Sequence, residues 1–153
     1  MAIHSTSVLE FSRATGPTSS SGWRPGSTWP SLRTSRYRWP GCAVLGTSLV
    51  IAGGWGGSTH STTEVIDLQT GTIAWGPSMG SRRGHFHLLL LHSPSPRLLA
   101  LGGYDRSTYL ESVEELVGST TEEVVGGSWR QVEPLGEARG WYGAMVVGED
   151  MIC

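Results

Sequence analysis

Lysine is absent from this chain: all eleven cationic side chains among its 153 residues are arginine. That absence excludes a Schiff-base lysine, a phosphate-loop lysine and any side-chain ubiquitin acceptor within the sequence. Cysteine is scarce as well. Cys42 and Cys153 cannot build a disulfide framework, and neither belongs to a C-x-x-C pair of the kind that holds zinc. A reducing, cytoplasmic compartment is therefore the expectation. No purely apolar run exceeds four residues, Leu88 to Leu91 being one, far below the roughly 20 that a membrane helix needs. The N-terminus, MAIHSTSVLEF, has no basic segment followed by an apolar stretch, so a cleaved signal peptide is not expected. Charge is thin too. Charged residues make up 16% of the chain, against about 25% in ordinary domains. A net charge of −2 gives no global basic field for nucleic acid. The signs are unevenly spread, with eight Arg and three acids in residues 1–100 and three Arg and ten acids in residues 101–153.

What is plentiful is glycine, at 22 residues, and tryptophan, at seven. A Gly-rich, Trp-rich, charge-poor composition suits many short strands and tight turns, not a helical bundle. The string Leu49-Val50-Ile51-Ala52-Gly53-Gly54-Trp55 recurs as Leu98-Leu99-Ala100-Leu101-Gly102-Gly103-Tyr104, a spacing of 49 residues between Gly-Gly pairs. Each pair is followed by a polar loop and an acid-marked strand, Thr63 to Asp67 and Val113 to Leu116. Then come a turn, a Trp (Trp75, Trp129), a second turn, an Arg (Arg82-Arg83, Arg139) and another strand (His85 to Leu91, Trp141 to Val147). Five features in one order, twice over, mark a repeat protein. Residues 8–16 align on 63–71, and residues 144–153 align on 42–51, so the repeat continues toward both ends. The phase predicts a partial repeat over 1–35, containing a Ser/Thr/Gly/Pro-rich loop. Repeats follow over 36–81 and over 82–138, the latter with a longer interior, and 139–153 starts a further one.

This order of features resembles the kelch motif. The resemblance implies an all-β architecture of four-stranded antiparallel propeller blades, here an incomplete propeller. Strand one is expected over Trp39 to Leu45 and strand two over Leu49 to Ala52, joined by a Gly46-Thr47-Ser48 turn. An apolar run such as Leu49 to Ala52 suits a strand covered on both faces by neighbouring blades. Gly53, Gly54, Gly102 and Gly103 are expected as framework glycines at a close backbone approach, and Trp75 and Trp129 as buried framework. Propellers typically close with about 4–8 blades, so the chain is expected to be a fragment of a longer protein, or to self-associate.

No catalytic residue is expected. Serine is abundant, but none lies in G-x-S-x-G, and Gly53-Gly54-Trp55-Gly56-Gly57 lacks the context of a phosphate loop. His85 and His87, two apart, would share a face of a strand; they lack a third ligand, so no metal and no cofactor are expected. Binding is the better expectation, because a rigid scaffold that presents variable loops is a recognition device. The kelch resemblance implies a partner surface just after each Gly-Gly pair and around the Arg that opens each repeat. On this chain those positions are Arg36, Arg38, Trp55, His60, Arg82, Arg83, His85, Tyr104, Asp105, Arg106, Tyr109, Arg139 and Trp141. Trp, Tyr and Arg dominate binding hot spots, and clustered guanidinium groups would suit a protein or acidic peptide. Arg36, Arg83 and Arg139 have a second reading, as braces between blades. By family association the chain is expected to recognise substrates as a ubiquitin-ligase adaptor. An actin-associated or other scaffold is the alternative, and a copper oxidoreductase of galactose-oxidase type a more distant one, since no convincing Tyr/His set is present. An extracellular kelch domain is a further option.

Overall fold

The computed structural model describes residues 31–36, 38–92, 95–118, 124–147 and 150–152. Most of the partial repeat expected at 1–35 lies outside them. The class is all-β, with no helix among the described residues. β1 (Gly41–Leu45), β2 (Ser48–Ala52), β3 (Thr63–Asp67) and β4 (Ile73–Trp75) form one four-stranded antiparallel sheet in chain order. β5 (His87–Leu91), β6 (Arg97–Leu101), β7 (Val113–Val117) and β8 (Ser128–Val132) repeat that meander in a second sheet. β9 (Met145–Val147) and β10 (Asp150–Ile152) form a hairpin. Among the described residues no helix is long and apolar enough to cross a membrane.

The double-sided apolar strands explain how the sheets stack. Successive side chains of a strand point to opposite faces, so β2 sends Val50 and Ala52 one way and Leu49 and Ile51 the other. Val50 and Ala52 join Leu45 and Val65 to meet Leu88, Leu98, Ala100 and Leu116 of the second sheet. Leu49 and Ile51 pack with Ile66 on the far side of the first sheet. On the far side of the second sheet, Leu99, Leu101 and Val113 pack against Val146 of β9. Ladder register equates Leu49 with Leu98, Ile51 with Ala100 and Ile66 with Leu116. The face that the first sheet turns away from the second therefore corresponds to the face that the second turns toward the first. The sheets are stacked front to back, blade on blade. Each buried Leu, Ile or Val stabilises this arrangement by about 1.5–3 kcal/mol.

Three local expectations need correction. The β1–β2 hairpin closes through two residues, not three, because Ser48 pairs with Leu45; Gly46, at φ +58°, supplies the left-handed turn position. The first ladder rung falls at Gly41 and at His87, two residues later than expected. Trp39 and His85 have φ of +57° and +53°, which turns the backbone away from extended geometry before pairing begins. The two framework tryptophans, moreover, are not equivalent. Trp75 sits opposite Glu64, whereas Trp129 sits opposite Leu116. In the second sheet Gln131 occupies the rung of Trp75, and in the first Ile73 occupies the rung of Trp129. Trp129 is half-buried at the junction of the sheets, and its Nε1–H donates to the Pro77 carbonyl at 3.0 Å. Trp75, the last residue of its strand, is 44% exposed, with the Arg33 guanidinium 5.8 Å from its ring. A shift of two keeps the side of the sheet but carries the indole to the strand end.

Candidate functional site

A polar frame, present twice, positions the loops. Glu64 in β3 and Glu114 in β7 are both buried. Arg36 Nη2 donates to Glu64 Oε1 at 2.7 Å, and Arg83 Nη2 donates to Glu114 Oε1 at 2.8 Å. Each guanidinium also donates through Nη1 to two carbonyls, of Gly53 and Thr62 in one case and of Gly102 and Ser112 in the other. Each carboxylate accepts two backbone N–H bonds from the segment leading into its sheet, at 2.6 and 3.0 Å: from Arg33 and Thr34, and from Gly80 and Ser81. Buried charges persist when paired and fully hydrogen-bonded. Arg36 and Arg83 have fully buried side chains. Geometry places both inside the frame, each bracing its own sheet.

The Gly-Gly pairs lock one repeat to the next. Gly54 N–H donates to the Arg83 carbonyl, and Gly103 N–H to the Arg139 carbonyl, both at 2.7 Å. Gly53 and Gly102 have φ of +60° and +53°, and a Cβ on them would lie 2.4 and 2.7 Å from those same carbonyl oxygens. Only glycine tolerates both the left-handed backbone and the approach.

Above this frame lies a cleft of about 520 Å³, lined by Arg38, Trp39, Trp55, Thr59, Gly84, His85, Tyr104, Tyr109 and Trp141. These nine residues occupy only four positions of the repeat. Bridges equate Arg38 with Gly84, Trp55 with Tyr104 and Thr59 with Tyr109. Trp39, His85 and Trp141 are the residues just ahead of each first strand, and all three have positive φ, +57°, +53° and +62°. That backbone is unusual for a bulky side chain. Its effect is to bring three rings from successive repeats to one point. The three rings meet one another: the His85 centroid is 3.5 Å from Trp39 and 3.3 Å from Trp141, and the two indoles are 5.1 Å apart. Partial burial among these rings pulls its pKa below the usual 6.5.

The structure brings together six of the thirteen expected partner residues: Arg38, Trp55, His85, Tyr104, Tyr109 and Trp141. Sequence reading missed Trp39, Thr59 and Gly84. The signal for Trp39 was its place just ahead of the first strand, shared with His85 and Trp141. His60 stands off the cleft, its N–H donating to Gly54 O at 2.9 Å and its carbonyl accepting from Arg83 N at 3.0 Å. Burial, and then the charge of Arg36, lower its pKa. Asp105 folds its carboxylate into its own loop, accepting from the N–H groups of Thr108 and Ser107 and from the Ser107 hydroxyl. Those bonds hold its pKa below the ordinary Asp range. Arg82 and Arg106 are exposed, the latter at φ +97°, and Arg139 Nη2 lies 3.5 Å from Glu137.

His85 and His87 do not share a face. The left-handed backbone at His85 breaks the alternation, and His87 Nε2 instead meets the Tyr142 carbonyl. Among the described residues no group of three His, Cys, Asp or Glu side chains could hold a metal ion. The lining carries no carboxylate and no thiol. Chemically the cleft offers flat apolar walls and one guanidinium at the lip, Arg38, 5.5 Å from the Trp39 ring. No family model matches the chain, and no curated protein does either.

Proposed function

We propose that this chain is a kelch-type propeller segment acting as a protein–protein interaction module, and that its task is substrate recognition for a ubiquitin ligase in the cytoplasm. One observation carries the binding part. Nine cleft residues come from four repeat positions, so equivalent loop sites converge on one mouth while a duplicated Arg–Glu frame holds them rigid. Rigid elements presenting exposed aromatic and Arg side chains are what protein recognition uses. Trp141 is 64% exposed and Tyr109 49%, ring area that a soluble surface rarely leaves open without a use. The lining carries no carboxylate and no thiol, and its Thr59 hydroxyl is tied to the Asp105 carbonyl, a set that suits recognition better than catalysis. The ligase part rests on the kelch resemblance of the repeat.

The test is affinity capture from cells with the wild-type chain and with Tyr104→Ala. The expected result is a set of proteins lost from the variant while its thermal midpoint stays unchanged, and whose ubiquitination falls when the protein is depleted. An identical captured set from both chains refutes the binding reading. Unchanged ubiquitination refutes the ligase role.

A further inference from the structure

Resting on that reading, we infer that the cleft takes a single large apolar side chain, aromatic or branched aliphatic, from a linear segment of a partner protein. One carboxylate beside that side chain would be held at Arg38. This differs from the acidic run that the arginine content suggests. An acidic run needs several guanidinium groups at one mouth, and Arg36 and Arg83 are committed to Glu64 and Glu114. Only Arg38 belongs to the lining.

The other ligand classes that suit aromatic walls fit less well. A methylated or quaternary ammonium would enter an aromatic cage, but here it would meet the Arg38 cation with no carboxylate in the lining to offset it. A sugar would stack on the rings, yet its hydroxyls are best held by carboxylate or amide side chains, and the lining carries neither. The Thr59 hydroxyl already donates to the Asp105 carbonyl at 2.8 Å, and the Tyr104 hydroxyl to the Arg106 carbonyl at 2.8 Å. A large apolar side chain needs none of these. It buries area against the rings, where stacking and apolar contact add to each other. The volume, about 520 Å³, has the size of sites that enclose a whole small ligand, so the anchor enters together with its neighbouring residues.

Charge at the rim sets the sign of the neighbouring group. Arg38 is exposed, whereas the Asp105 carboxylate is turned into its own loop by three hydrogen bonds. A segment approaching this mouth is favoured when it is acidic next to its apolar anchor.

The experiment pans a phage-displayed library of random twelve-residue peptides on the whole chain and synthesises the strongest binder. The expected peptides carry Phe, Trp, Tyr, Leu or Ile within two residues of an Asp or Glu. Trp141→Ala, at a ring exposed enough to leave folding intact, weakens the synthetic peptide at least ~30-fold. Tyr109→Ala serves as the second variant. Arg38→Gln weakens it about 10-fold, and no further once the acid of the peptide is replaced by its amide. Enrichment of acid runs without an apolar anchor, bound equally by wild type and Trp141→Ala, overturns this inference and leaves the interaction module standing. Failure to enrich any sequence overturns both.

Discussion

Arg83→Met is the sharpest probe of the frame. The substitution keeps most of the apolar stem and removes five hydrogen bonds: two to Glu114, two to the carbonyls of Gly102 and Ser112, and one to the Ser112 hydroxyl. Glu114 would keep only the N–H bonds from Gly80 and Ser81. Its carboxylate would stay buried beside a thioether. Breaking a buried pair from one side costs about 3–5 kcal/mol, and a stranded carbonyl such as that of Gly102 adds about 1–3 kcal/mol where water cannot reach it. We expect a loss of at least about 4 kcal/mol, the low end of that sum and a large share of the roughly 5–15 kcal/mol that holds a domain folded. With a urea slope of about 2 kcal/mol per M, the unfolding midpoint falls by at least about 2 M. Arg36→Met should cost somewhat less, since Arg36 makes four of the five equivalent bonds and its buried Nε has no partner. In the double variant Arg83→Met/Glu114→Leu the loss should be smaller than the sum of the two single losses by about 1.5 kcal/mol or more. The assay is urea unfolding followed by Trp fluorescence and far-ultraviolet circular dichroism. If Arg83→Met prevents folding, Arg83→Lys keeps the charge without the planar fork and should lose about half as much. A loss below about 1 kcal/mol for Arg83→Met, or additive single losses, refutes the reasoning.

Two further outcomes follow from the geometry. Trp129→Ala should lower stability by about 2–3 kcal/mol, because it opens space between the sheets. Trp75→Ala should cost less than about 1 kcal/mol, the worth of an exposed ring with a cation above it; equal midpoints for the two variants in urea would contradict the register. The folded pKa of His85 lies below the unfolded value of 6.5, so the unfolded chain binds the proton more readily. Its contribution to stability is therefore fully present above about pH 6.5 and is lost as pH falls through the folded pKa. The urea midpoint should drop over that window in wild type and drop less in His85→Phe, and equal pH dependence in the two chains would rule this out.

Much of the fold could be read from residue order. Leu49 to Ala52 and Leu98 to Leu101 announced strands buried on both faces, and the glycine pairs marked the crossings between repeats. Pairing partners were less legible. Glu64 and Glu114 stood out as acids in apolar strands, but nothing local tells which arginine reaches them, since Arg38 and Arg82 are as near in sequence as Arg36 and Arg83. The tryptophans misled because Trp75 lies two rungs out of phase with Trp129 and on the face its sheet turns away from the second sheet. About half of the expected binding residues converge on the cleft. Trp39 escaped notice because a left-handed backbone at an aromatic residue leaves no mark in the sequence, and that backbone turns three rings out of the ladder.

The same backbone has an evolutionary consequence. Trp39, His85 and Trp141 stand ahead of the first rung of their strands, so their side chains are not set by pairing across a sheet. Two indoles and one imidazole already share this position. A substitution there alters what the mouth accepts without shifting a register, whereas one at Glu64 or Gly53 disturbs the frame itself. Selectivity can drift at three sites while the scaffold stands still.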